Sequence, residues 1–165
     1  MDYLWTPWRY SYIVDTSRNA GCIFCDIIQA NDDEKTLVVF RGKKNYVVLN
    51  RFPYTSGHVM IVPYEHVGDF AAADAETVSE MMLLAQRAEV ALEKSYHPEG
   101  YNLGMNLGRA AGAGVVGHVH LHVLPRWCGD SNFMTVTGET RVEPEDLATT
   151  YEKLRSTFSA APASA

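Results

Sequence analysis

Cysteine is scarce in this 165-residue chain: only Cys22, Cys25 and Cys128 occur. An odd count with one close pair does not describe the paired framework of a small secreted protein, so metal or redox use of Cys22 and Cys25 is the better reading. Long apolar runs are missing too. None approaches the roughly 18 residues of a membrane span, and the start, Met1-Asp-Tyr-Leu-Trp, lacks the basic-then-apolar pattern of a signal peptide. A cytoplasmic location with no membrane partner is expected. Positive charge is in deficit, with 14 Lys and Arg against 20 Asp and Glu and a formal net charge of −6. That balance argues against nucleic acid as a partner, while a local pocket for a small anion stays possible.

What the chain does contain fits one domain over residues 1–158, with 47% hydrophobic content sufficient for an ordinary core. Residues 1–21 concentrate Trp5, Trp8, Arg9, Tyr10 and Tyr12 without periodicity, which suggests an arm laid on the body or on a second subunit. Two β-branched runs, 36–41 and 45–50, flank Gly42-Lys43-Lys44 and read as a hairpin, and 58–62 reads as a third strand. From 74 to 94 the period changes to that of a helix, with Asp74 as cap and Val78, Met81, Met82, Ala85, Ala88 and Leu92 at three- and four-residue spacing. Strands over 101–107 and 118–124 follow, and Pro144 opens a last helix reaching about Phe158, ahead of a tail, 159–165, expected to be disordered. The order implies an α+β fold with a mainly antiparallel sheet of about five strands, one long helix and a C-terminal helix.

The densest chemistry lies in His118-Val119-His120-Leu121-His122-Val123-Leu124. On a strand the three imidazoles share one face and Val119, Leu121 and Val123 the other. Such a row is able to attack and protonate a substrate, to ligate a metal, or to be structural. The glycine-rich stretch from Asn106 to Gly117 favours the first, because backbone amides with little side-chain obstruction suit a phosphate. A neutral imidazole nitrogen attacks phosphorus if its other nitrogen carries the proton, and the resulting phosphoramidate is labile.

The alternation of three histidines with apolar residues resembles the signature of the histidine triad (HIT) family of nucleotide hydrolases and transferases. Asn50 with Gly57-His58-Val59-Met60-Ile61-Val62-Pro63, and the loop from Asn106 to Gly117, extend the resemblance over roughly residues 20–135. Leu4-Trp-Thr-Pro-Trp-Arg, Asn102-Leu-Gly-Met-Asn-Leu-Gly and Pro125-Arg-Trp-Cys-Gly-Asp-Ser-Asn-Phe are most similar to the branch of bacterial diadenosine tetraphosphate phosphorylases. The resemblance implies a HIT-like fold and His120 as nucleophile on the α-phosphorus. His122 would assist at the phosphate, Asn50 would bind ribose, and Asn106, Ala113 and Gly114 would contact phosphate. His58 stands on the substrate side or as a core histidine, and Trp127 as a branch feature or an aromatic cover. Arg126, ahead of Arg109, is the candidate for seating inorganic phosphate. Ala113-Gly114 departs from the Gly-Gln or Gly-Ser of many hydrolase relatives.

Two-residue spacing lets Cys22 and Cys25 reach one metal ion. The family resemblance supplies the other half of the site, His66 and His118, and so implies a structural Zn²⁺ on Cys22, Cys25, His66 and His118. No organic cofactor is expected. The implied activity is cleavage of dinucleoside polyphosphates, diadenosine tetraphosphate above all, through a nucleotidyl-His120 intermediate, with phosphorolysis giving ADP and ATP. The alternatives are a purine nucleoside phosphoramidate hydrolase and a catalytically weak nucleotide-binding signalling module. Adenine nucleotides and inorganic phosphate are the expected partners, and a homodimer through the long helix and adjacent strands the expected assembly.

Overall fold

A short basic turn folds the first two extended runs together. β1 (Val38–Arg41) and β2 (Asn45–Leu49) pair antiparallel, with Arg41 opposite Tyr46. Glu80 ties the turn to the body by accepting from the amides of Lys43, Lys44 and Asn45, each at 2.7 Å, and from Asn45 Nδ2 at 2.9 Å. β3 (Val59–Pro63) follows, then β4 (Gly100–Gly104) and β5 (Leu121–Arg126), in the spatial order β1-β2-β3-β5-β4 with every neighbour antiparallel. The computed structural model describes residues 21–131 and 144–160. The expected arm, apart from Gly21, and the tail beyond Ala160 lie outside them.

Among the described residues four α-helices accompany the sheet: α1 (Ile23–Gln29), α2 (Asp33–Thr36), α3 (Ala75–Tyr96) and α4 (Leu147–Ala160). The Asp74 carboxylate caps α3 by accepting from the Thr77 amide at 3.0 Å, and His97, at φ 46°, ends it in the left-handed region. On one sheet face Val47, Leu49, Val59, Ile61, Leu121 and Val123 pack against α3 and α4, whose Leu92, Leu154 and Phe158 are fully buried. Each such side chain contributes about 1.5–3 kcal/mol relative to exposure. On the other face Tyr46, Val48, Met60 and Val62 lie with Phe24 of α1. Covering on both sides explains why all five residues of β2 and of β3 are buried. The histidine face is therefore the α1 face, since Met60 is the cross-strand neighbour of His122.

The five-stranded antiparallel sheet is as the sequence predicts, but several boundaries move. β5 starts at Leu121 rather than His118, because Val119 N donates to Val67 O at 2.8 Å, outside the ladder. It continues through Pro125 to Arg126, although proline, lacking an N–H, reads in sequence as a stop. β4 ends at Gly104, where its pairing with His122 runs out, rather than at 107. β1 starts at Val38, because Thr36 closes α2 and Leu37 takes φ 64°. α4 runs two residues past Phe158, so 159 and 160 are helical rather than tail. α1 and α2 are too short to show a helical period.

Candidate active site

Pocket and strand ends meet on the α1 face. A cavity of about 190 Å³ has apolar walls from Ile23, Phe24 and Ile27 of α1 and from Leu37, Val48 and Met60, while Asn50, Gly114, His120 and His122 supply its polar side. A concave, mostly apolar pocket with a few converging polar groups is the usual form of a small-molecule site. Gly57 helps set the geometry behind it. At φ +81°, a Cβ there would stand 2.9 Å from Leu92 Cδ2 and 3.3 Å from Pro125 Cγ, so the turn that delivers His58 needs glycine.

The three histidines have separate surroundings. His120 Nδ1 is 2.9 Å from the carbonyl oxygen of His118, which only accepts; Nδ1 therefore carries the proton and Nε2 keeps its lone pair. For His122 the order is reversed through His58. The Tyr54 amide donates to His58 Nδ1 at 3.2 Å, leaving the proton of neutral His58 on Nε2, which is 2.9 Å from His122 Nδ1. His122 Nδ1 thus accepts, and its own proton sits on Nε2. Burial, joined by the nearby His120, pushes His122 down to about 4. Burial also lowers His120 and drives His58 well below its ordinary value, with His122 and His120 adding to the effect on His58. All three rings are neutral near pH 7, and the rings of His120 and His122 lie 4.9 Å apart.

His118 is buried and turned toward α1, away from the cavity lining. Its Nδ1 lies 3.3 Å from Cys22 Sγ and 3.8 Å from Cys25 Sγ, and His66 Nδ1 lies 3.4 Å from Cys25 Sγ. The four ligand atoms all fall within 4.8 Å of one another. Tetrahedral zinc with Zn–S of about 2.3 Å and Zn–N of about 2.0–2.1 Å separates nitrogen from sulfur by about 3.5 Å, so the cluster has the dimensions of a closed site. His118 Nε2 donates to Pro63 O at 2.9 Å, which leaves Nδ1 free to ligate. Burial lowers His118 as well, favouring the neutral form a metal needs.

The remaining candidates are distributed more widely. Asn50 lines the cavity, its Oδ1 accepting from the Phe52 amide at 3.0 Å and its Nδ2 3.3 Å from His58 Nδ1. Gly114 also lines it, whereas Ala113, whose amide meets Gly108 O at 3.3 Å, and Asn106 stand in the adjoining loop. His58 is 1% exposed and backs His122 rather than lining the cavity. Arg126 and Trp127 sit at the far end of β5. There the Arg126 guanidinium pairs with Asp130 and donates to Asn102 Oδ1 at 2.6 Å, and the Trp127 amide donates to Asp130 at 3.3 Å. Sequence reasoning missed Ile23, Phe24, Ile27, Leu37, Met60 and Tyr54. The apolar spacing at 23, 24 and 27 was the available signal, overshadowed by the cysteines around it.

The HIT domain family model matches residues 31–128. An AP-4-A phosphorylase of Mycobacterium tuberculosis is 38% identical over 167 residues, covering 96% of this chain and 85% of that protein. A Zn-bound histidine triad family protein from Mycobacterium smegmatis superposes with a TM-score of 0.70 at 30% identity, over 85% of this chain and 94% of the other. A hypothetical histidine triad nucleotide-binding protein from Sulfolobus tokodaii gives 0.69 at 26% identity, over 84% and 93%. With the fold, the histidine row and the extent of these matches in agreement, the chain belongs to the HIT domain family.

Proposed function

We propose that this protein is a nucleotidyl transferase that cleaves dinucleoside polyphosphates, diadenosine tetraphosphate above all, by phosphorolysis. The observation that carries the reading is the opposed protonation of two neighbouring rings at the end of an apolar pocket. His120 presents a lone pair and His122 an N–H. The named activity of the 38% identical relative supports the choice of substrate.

In the first step His120 Nε2 attacks the α-phosphorus of the substrate whose adenosine occupies the cavity. A P–N bond forms and the bond to the bridging oxygen breaks, while His122 Nε2–H supports the departing ATP. Inorganic phosphate then attacks the same phosphorus, the P–N bond breaks, and ADP leaves with His120 restored. Asn50 is assigned to ribose, and Asn106, Ala113 and Gly114 to the phosphoryl oxygens, where amides stabilise the transition-state charge. His58 acts behind His122. A role for Arg126 in seating the acceptor requires its Asp130 pairing to open, and Trp127, whose amide also donates to Asp130, belongs to the same corner.

Cys22, Cys25, His66 and His118 would hold zinc, whose chemistry here is to cross-link α1, the segment after β3 and the start of the triad. Such thiolate ligands belong with a reducing compartment, in keeping with a cytoplasmic enzyme. Exposed Leu103 on edge strand β4, and Met82, Leu83 and Val90 on α3, favour a two-fold homodimer through these elements.

Incubation with diadenosine tetraphosphate, with and without inorganic phosphate, tests the reading. Equal ADP and ATP, formed only with phosphate, is expected. AMP and ATP at the same rate in both would make the protein a hydrolase. No cleavage, with turnover of adenosine phosphoramidate instead, would favour the phosphoramidate hydrolase.

A further inference from the structure

Phe24 belongs to two structures at once. Its chain neighbours on either side include the metal-type ligands, Cys22 as the residue before α1 and Cys25 as the third residue of the helix. Its ring lies 5.4 Å from the ring of His118, edge-on, and 4.9 Å from the ring of His120. It also forms the cavity wall with Ile23 and Ile27 of the same seven-residue helix. The backbone there is fixed from below, because Tyr46 Oη donates to Phe24 O at 2.8 Å. Beyond the packing of Phe24, Ile27 and Ile28 on the sheet, the end of α1 that carries the cysteines has little to hold it: Cys22 supplies no side-chain cap hydrogen bond, and a helix of this length has little stability of its own. One wall of the cavity and two ligands of the Cys22–Cys25–His66–His118 cluster are thus carried by the same short segment.

We propose that metal at this cluster and nucleotide in the cavity bind with positive coupling, and that Phe24 carries it. The inference rests on the nucleotide reading of the cavity and the metal reading of the cluster. Closing four ligands around zinc fixes α1 and seats the Phe24 ring against His120, so that a base meets a formed wall. A base held against Ile23, Phe24 and Ile27 in turn opposes the movement of α1 that release of Cys22 and Cys25 requires. Coupling of this kind is reciprocal, so zinc tightens nucleotide binding by the factor by which nucleotide tightens zinc. The zinc site would then influence substrate affinity as well as stability.

The test uses the full chain loaded with zinc, AMP as the nucleotide, and a chromogenic chelator that reports zinc release. Saturating AMP is expected to tighten zinc against the chelator at equilibrium at least about five-fold, the lower end of typical coupling. Zinc-depleted protein that remains folded by circular dichroism should bind AMP more weakly by a comparable factor. Phe24→Leu, compared at equal AMP saturation, should lose most of the protection; stabilisation of the whole fold by ligand would protect both proteins alike. Release unaffected by AMP, or equal protection in Phe24→Leu, overturns the coupling alone. Failure of AMP to bind at any zinc content overturns the nucleotide reading and the coupling with it.

Discussion

His58 Nε2 and His122 Nδ1 are 2.9 Å apart in the interior, and the Tyr54 amide behind His58 fixes the direction of that hydrogen bond. A backbone N–H only donates, so its partner nitrogen on His58 is unprotonated, and the remaining proton points at His122. Two imidazoles two residues apart in sequence are thereby held in opposite tautomers.

His58→Leu removes the donor to His122 Nδ1 and frees that ring to take either tautomer. The expected effect is a fall in kcat of about 10²-fold or more for diadenosine tetraphosphate with little change in KM, in line with the usual contribution of a general acid. The p-nitrophenyl ester of AMP, whose leaving group needs no proton, should be spared most of the loss. Equal losses on both substrates would reduce His58 to a packing role.

Acid should destabilise the fold through the same residues. His122 is held at about 4, facing His58, His120 and Tyr54, against an ordinary value of 6.5. Below pH 6.5 the unfolded chain binds the proton that the folded chain refuses, so stability declines with falling pH and levels off below about 4. Between pH 7 and 5 the loss from His122 is about 2 kcal/mol. Metal ligation by histidine and cysteine changes in the same direction, so the diagnostic comparison is between wild type and His122→Gln. Denaturant midpoints at the two pH values should drop less in the variant; an equal drop would remove His122 as the source.

Stripping zinc should lower thermal stability, because ligands from residues 22, 25, 66 and 118 close two long loops at one point. Melting followed with and without a chelator, alongside elemental analysis, checks this. Unchanged melting together with no zinc in the purified protein would contradict the metal site.

Much of the architecture was legible because the strands and α3 carry strong patterns: short β-branched apolar runs in β2 and β3, and the i, i+3, i+4 pattern from Val78 to Leu92. The turn at Gly42, the cap at Asp74 and the Cys22–Cys25 spacing were equally local. What sequence concealed was relative placement. Nothing local to His58 says that it backs His122 across 64 residues, or that Asp130 claims Arg126. α1, at seven residues, is too short to carry a period, so nothing local marks Ile23, Phe24 and Ile27 as a pocket wall.

The central claim is that neighbouring rings are divided into nucleophile and proton donor, with the nucleotide passing through His120. Rapid quench of wild-type protein with diadenosine tetraphosphate in the absence of phosphate, followed by peptide mass spectrometry under conditions that preserve phosphoramidates, tests it most directly. An adenylyl group on His120, lost on adding phosphate as ADP appears and never formed by His120→Ala, is the predicted result. Full turnover by His120→Ala, or an adenylyl group found on another residue, would contradict it.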